Sequence, residues 1–390
     1  MKHAQFEVPR STIVGLRNVA VASALVFLGG LYFAPTRAWV AFLVAYVLFV
    51  GLALSGPFFL ALVTLARGRW PGELRRVPEA FNAAIPAAAL LGIVLLSGVH
   101  SLYEWSHTSA VSADALLTHK APFLNWTGFA VRMVVYFASW YWLGGRLVRA
   151  LHAQDADPSV AASRRSMRCA ALFLIVFAIT FSLASIDWIE SLEPHWSSTI
   201  FALVALSTLA LAGLAACAII ASEAAQRPEL RHVANAARID DIGRIMIGMS
   251  LFWAYIGYCQ HMLIWYTNMP EETSWYVARS SGEWTTVGRV ALVLCWLTPF
   301  LLLMPRTMRR NPTVLGRVAV AVLVGVVHYL YLLIAPPLHG AVPQFGMLEF
   351  ALPLGALASA FYIALRNLGR GEHAPSRGAD SRAIAESLQA

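Results

Sequence analysis

Apolar blocks of bilayer length alternate with short polar connectors along the 390 residues. A helix needs roughly 20 consecutive apolar residues to cross the hydrocarbon core of a membrane. Ten blocks reach that length, at about 11–34, 38–66, 84–103, 123–147, 168–190, 198–222, 242–268, 284–304, 313–335 and 345–367. The pattern predicts an all-α integral membrane protein, with about ten transmembrane helices over 11–367. A short segment, 1–10, precedes them and a charged tail, 368–390, follows. The first block is expected to be a span and not a cleaved signal, because its apolar stretch is too long and the second block follows at once.

Composition agrees with the pattern. Apolar residues make up 58% of the chain and charged residues 13%, against about a quarter charged in an ordinary soluble domain. Lys and Arg gather on alternate connectors. If the N-terminus is cytoplasmic, the inner segments hold 21 of them and the outer segments only Arg37, Lys120 and Arg279. Cytoplasmic loops carry the positive excess, so both termini are expected inside a bacterial cytoplasmic membrane. The net charge of +8 then belongs to the membrane topology, and no nucleic-acid partner is implied. Cys169, Cys217, Cys259 and Cys295 are scattered through apolar blocks, whereas iron–sulfur and structural zinc sites need clustered thiolates. They read as small core residues.

The third and fourth blocks resemble the seventh and eighth. His100 and His261 lie 161 residues apart, Trp126 and Trp284 158 apart, and Arg132 and Arg289 157 apart. Such an offset covers four helices, so the two copies run in the same direction, a parallel repeat about an axis along the membrane normal. The expected architecture is two four-helix bundles, at about 38–190 and 198–335, with peripheral helices 11–34 and 345–367.

Ionisable groups at membrane depth are costly and are functional candidates by default. His100, Glu104, Asp187, Glu190, Glu193, His195, His261, Glu271, Glu272, Glu283 and Glu349 all fall toward the outer half, while Arg132, Arg289 and His328 lie deeper. The densest stretch is Ser185-Ile-Asp187-Trp-Ile-Glu190-Ser-Leu-Glu193-Pro194-His195-Trp196. Asp187 and Glu190 are three apart, hence on one helix face, and the helix should end before Pro194. Paired carboxyl groups at a dry helix end suit a proton acceptor; an ordinary solvated helix terminus is the competing reading. On the first, Asp187 takes up the proton and Glu190 relays it to Glu193 and His195. Arg132 and Arg289 each need a partner, and Glu104, Asp187 and Glu190 are the candidates. His100 and His261 each stand alone in their bundle, which suits hydrogen bonding or accepting a proton from a quinol better than axial haem ligation. Pro86, Pro299 and Pro353 interrupt apolar blocks and are compatible with a cavity.

The stretch Ile186-Asp187-Trp188-Ile189-Glu190-Ser191-Leu192-Glu193-Pro194-His195-Trp196 through Phe201 resembles the NrfD/PsrC-like membrane subunits of alternative complex III. So do Phe252-Trp-Ala-Tyr255, Gln260-His261-Met-Leu-Ile-Trp265-Tyr266 with Asn268-Met-Pro270-Glu271-Glu272-Thr273, and Arg69-Trp70 with Arg75-Arg76-Val77-Pro78-Glu79-Ala80. Of the two homologous ten-helix subunits the chain resembles the ActF type more than the ActC type, over about residues 10–368. The resemblance implies a subunit of a quinol:cytochrome c, or quinol:electron-acceptor, oxidoreductase. Its partners would be the ActC-type subunit, an iron–sulfur/molybdopterin-like subunit and multihaem cytochromes, which would hold the haems and clusters. The ActF type carries no redox centre and is associated with proton transfer; quinol is a possible ligand. Outside the resemblance, a secondary transporter, a membrane cytochrome b and the quinol-oxidising NrfD-like subunit itself are the rival readings.

Overall fold

The computed structural model describes residues 8–68, 72–230 and 234–370. Lys2, Arg69, Trp70, Arg231, Arg377, Arg382 and most of the expected tail lie outside them. Ten long helices carry the fold: α1 (Arg10–Phe33), α2 (Pro35–Leu65), α3 (Arg76–Ser97), α4 (Trp126–Ala156), α5 (Val160–Trp188), α6 (Phe201–Gln226), α7 (Ala236–Thr267), α8 (Trp284–Leu303), α9 (Pro312–Ile334) and α10 (Met347–Arg370). There is no strand among the described residues.

Each of the ten expected spans falls on one of these helices. Among the described residues nine helices are long and apolar enough to cross a bilayer. The exception is α4, whose Arg132 and Trp140-Tyr141-Trp142 dilute its hydropathy although its 31 residues exceed the needed length. The polar connector expected between the fourth and fifth spans is also mostly helix. Only Asp157, Pro158 and Ser159 separate α4 from α5, and the Ser159 side chain caps α5 by accepting from the Ala162 N–H.

The interrupting prolines act differently from one another. Pro86 restarts α3 after a break at Ala83 and Ala84, since it lacks the N–H that would bond the carbonyl four residues back, that of Asn82, and its ring crowds that carbonyl. Pro299 follows a π-helical turn, Val293–Leu297, a common way to absorb a kink. Pro353 sits inside the continuous helix α10.

Packing arranges α2, α3, α4 and α5 as one closed ring of neighbours, and α6, α7, α8 and α9 as a second. The rings meet along α2 and α6, while α1 and α10 pair with each other and lie against α2. Burial follows this order. The most apolar stretch is 94% buried in α2 and 83% in α6, against 11% in α1, so α2 and α6 are the shared spine.

The repeat is visible in contacts as well as in sequence. At the spine, Gly51 faces Leu209 and Ser55 faces Gly213, and each pair is 158 residues apart. A position that touches its own repeat mate marks a pseudo-twofold axis, as in an isologous interface. At one end, Glu79 meets His152 at 3.0 Å and Asp240 meets Arg309 at 2.7 Å. Glu79 and Asp240 are 161 residues apart, His152 and Arg309 157 apart, the same offsets that relate His100 to His261 and Arg132 to Arg289. We call this the arginine-rich end. The opposite end carries the segments 98–125, 189–200 and 268–283, and is called the loop-rich end.

Candidate functional site

The loop-rich end of the first bundle gathers the ionisable groups. The last turn of α5 delivers Asp187, which is 1% exposed. Arg132, one and a half turns into α4, grips it with two parallel bonds, Nε to Oδ2 at 2.9 Å and Nη2 to Oδ1 at 2.7 Å. Tyr136, one turn further along the same face of α4, donates its hydroxyl to Oδ2 at 2.7 Å. The guanidinium also stacks on Phe123, 3.9 Å from the ring centre. Of the three partners open to Arg132, the fold selects Asp187. A bidentate, charge-assisted pair of this kind is strong and geometrically specific. It fixes α4 to α5 and engages both carboxylate oxygens of Asp187.

Glu190 stands one turn beyond, in the 3₁₀ turn Glu190–Leu192 that ends α5. It is 9% exposed. Its Oε1 accepts the Ser198 N–H at 2.8 Å, and among the described residues no cation lies within ion-pair range of it. Ser198 in turn accepts a bond from Gln260 of α7 at 3.2 Å, so Glu190 sits where the two bundles meet. Lys120 approaches this region but donates to the Pro194 carbonyl at 2.6 Å. A buried carboxyl group with one amide donor and no bound cation keeps lone pairs free for a proton. By that criterion Glu190, more than Asp187, has the chemistry of a proton carrier.

Two further pairs close the rim. Glu193 accepts from Arg279 Nη2 at 2.6 Å, and Arg279, on the surface helix Pro270–Ser280, also donates to the carbonyls of Leu332 at 3.1 Å and Leu333 at 2.9 Å. Trp196 and Trp275 stack at 4.5 Å beside it. His195 meets Asp114 at 2.8 Å. The expected relay through Glu193 and His195 thus runs into two groups already engaged, Glu193 by Arg279 and His195 by Asp114.

The remaining sequence candidates do not join this cluster. Glu104 is exposed in a short turn. His100 is exposed and within hydrogen-bond distance of Ser106, with His107 beside it at 5.4 Å between rings. His261 is exposed and lies edge-on to Tyr276 at 5.0 Å. Arg289 is exposed and has no carboxylate partner among the described residues. Among those residues, no group of three or more His, Cys, Asp or Glu side chains is placed to hold a metal ion.

A second polar cluster, at the arginine-rich end of the same bundle, escaped the sequence reading. Glu79, buried at 7% exposure, accepts from Arg75 at 2.8 Å and Arg76 at 3.1 Å and contacts His152 at 3.0 Å. Arg75 also holds Asp155. The i, i+4 spacing of Arg75 and Glu79 is the signal that was available. Inside the first bundle, Tyr46 Oη, Asn82 Oδ1 and Trp188 Nε1 are buried without a hydrogen-bond partner in the protein. No family model matches this chain, and no curated protein matches it.

Proposed function

We propose that the chain is the membrane subunit, without a redox centre of its own, of a quinol:cytochrome c or quinol:electron-acceptor oxidoreductase of the NrfD/PsrC-like, ActF type, and that it transfers protons at the loop-rich end of its first bundle. One observation carries the proton part: Glu190 is a buried carboxyl group beside an arginine-locked aspartate, yet has no cation in ion-pair range among the described residues. The unpartnered Tyr46, Asn82 and Trp188 atoms support it, because buried polar atoms of this kind are where internal water is held. Together with Glu79 they place polar groups from end to end of one bundle. The placement of a bacterial inner-membrane chain with both termini cytoplasmic rests on the Lys and Arg count, and would put Glu190 on the outer side. The proposed partners are the ActC-type subunit, an iron–sulfur/molybdopterin-like subunit and multihaem cytochromes.

The test is gentle extraction of the tagged chain from its native membrane. The reading expects haem-containing and iron–sulfur partners to co-purify, and the chain stripped of them to show no Soret band. A chain that purifies alone from native membranes and catalyses solute exchange in vesicles would overturn it in favour of a transporter.

A further inference from the structure

Toward the arginine-rich end, α4 and α5 carry five exposed arginines: Arg146 and Arg149 on α4, and Arg164, Arg165 and Arg168 on α5. Arg146 lies 20 residues into α4 from Trp126, and Arg168 lies 20 residues before the end of α5 at Trp188. At 1.5 Å per residue both stand about 30 Å from the loop-rich end, one hydrocarbon thickness away. The Arg132–Asp187 clamp joins the two helices at that far end. The arginines therefore begin where a bilayer core spanned by these helices gives way to headgroups.

Other cations at this end are committed. Arg75 and Arg76 hold Glu79, and Arg244 and Arg309 hold Asp240. None of the five arginines on α4 and α5 has a carboxylate partner among the described residues. Between Arg146 and Arg168 the acids are Asp155, which Arg75 holds, and Asp157. Arg146 stacks on Trp142, 4.7 Å from the ring centre, and Trp is a residue that gathers at membrane interfaces. Leu147 and Ala150 on α4, with Ser166 and Ala170 on α5, are buried, so the arginines stand on the outer face of the bundle. From Arg168 that exposed face continues through Leu172, Ile175 and Ile179. Their spacing of four, three and four residues makes one helical stripe.

We infer that this face of α4 and α5 binds an anionic phospholipid, with its phosphate against Arg146, Arg149 and Arg168 and its acyl chains along Leu172, Ile175 and Ile179. The stripe passes from cation to hydrocarbon within one helical turn, the order in which a phospholipid presents phosphate and chains. A soluble acidic protein would match the arginines and leave the apolar stripe unused. The uncompensated charge selects the head, because a zwitterionic head brings its own cation against the guanidinium groups, whereas basic clusters beside a membrane span attract anionic lipid. A positive excess on inner loops orients a membrane protein, but does not require the arginines to be unpaired or in line with a lipid-facing stripe. The inference needs no redox partner and holds for whichever leaflet meets the arginine-rich end.

The experiment is native mass spectrometry of the full chain in detergent, titrated with dioleoylphosphatidylglycerol or, as the zwitterionic probe, dioleoylphosphatidylcholine. The wild type should retain phosphatidylglycerol saturably, and at least roughly tenfold more tightly than phosphatidylcholine. Arg149→Gln combined with Arg168→Gln should bind phosphatidylglycerol roughly thirtyfold more weakly, the loss expected for two basic side chains at an anionic surface. Its affinity for phosphatidylcholine should stay unchanged. Arg306→Gln combined with Arg317→Gln removes the same charge from exposed positions elsewhere toward the arginine-rich end, and should keep the wild-type affinity. Monodisperse elution of each variant checks the fold. Equal wild-type affinity for the two lipids would overturn the assignment and leave the face to an acidic protein partner. Equal losses in the two double variants would overturn it too, as an effect of overall charge. Either result would leave the co-purification test untouched.

Discussion

At the scale of single residues, the Arg132–Asp187 clamp holds α4 to α5, and the proposed proton-carrying role falls to Glu190, which has only the Ser198 N–H as a hydrogen-bond partner among the described residues. Removing one partner of a buried ion pair typically costs about 3–5 kcal/mol, because the other charge is left uncompensated. Arg132→Ala should therefore destabilise the chain strongly, and Arg132→Ala combined with Asp187→Asn should recover much of the loss. The coupling, read from thermal melts of the two single variants and the double variant, should fall within about 0.5–3 kcal/mol; purely additive effects would mean that the clamp holds nothing. At the rim, the Leu117 N–H, helped by Leu116 and His195, holds the Asp114 carboxyl below its ordinary value. A depressed carboxylate pKa stabilises above the unfolded value, and that contribution fades as pH falls through the lower folded value. Amide protection at Leu116 and Leu117, relative to the intrinsic exchange rate at each pH, should therefore fall on acidification through that window. Asp114→Ala should show the lower protection at every pH.

At the scale of helices, the pseudo-twofold axis makes a reciprocal prediction. A Cβ on Gly213 would fall on the Ser55 side chain, close to its backbone, so Gly213→Ser should push α2 and α6 apart. Overpacking of this sort costs typically about 1–3 kcal/mol. Because Ser55 and Gly213 are repeat mates that face each other, adding Ser55→Gly should restore stability nearly to that of the wild type. A melt in which the double variant is no better than Gly213→Ser would count against the axis.

The helices show what was readable in the chain and what was not. All ten spans are legible because a bilayer demands length and apolarity, both of which are written locally. The α4 helix is long enough but carries Arg132 and three adjacent Trp and Tyr residues, whose acceptability depends on Asp187 and on the bundle interior, 55 residues away. For the same reason the Arg132 partner stayed open among three carboxylates. The Arg279–Glu193 and Arg37–Glu349 pairs, 86 and 312 residues apart, have no local signature at all. The repeat was legible, because its copies keep the same offset at both ends of the bundles.

At the scale of the whole molecule, charge asymmetry and packing give one orientation to test. Ser112 and Ser274 are exposed at the loop-rich end, and cysteines placed there should react with impermeant thiol reagents added outside intact cells. A cysteine at Ser159, on the arginine-rich end, should react only after permeabilisation. The reverse pattern would turn the molecule over and move Glu190 to the cytoplasmic side.

The most direct measurement of the proposed role is proton release during quinol-driven turnover by the intact, reconstituted complex, followed with a pH-sensitive dye. Glu190→Gln keeps the shape of the side chain and the Ser198 bond, so assembly should be normal. Proton release should fall by at least roughly tenfold, the low side of what one positioned acid–base group contributes. Glu104→Gln, at an exposed position, should behave as the wild type. Wild-type proton release from a fully assembled Glu190→Gln complex would contradict the account.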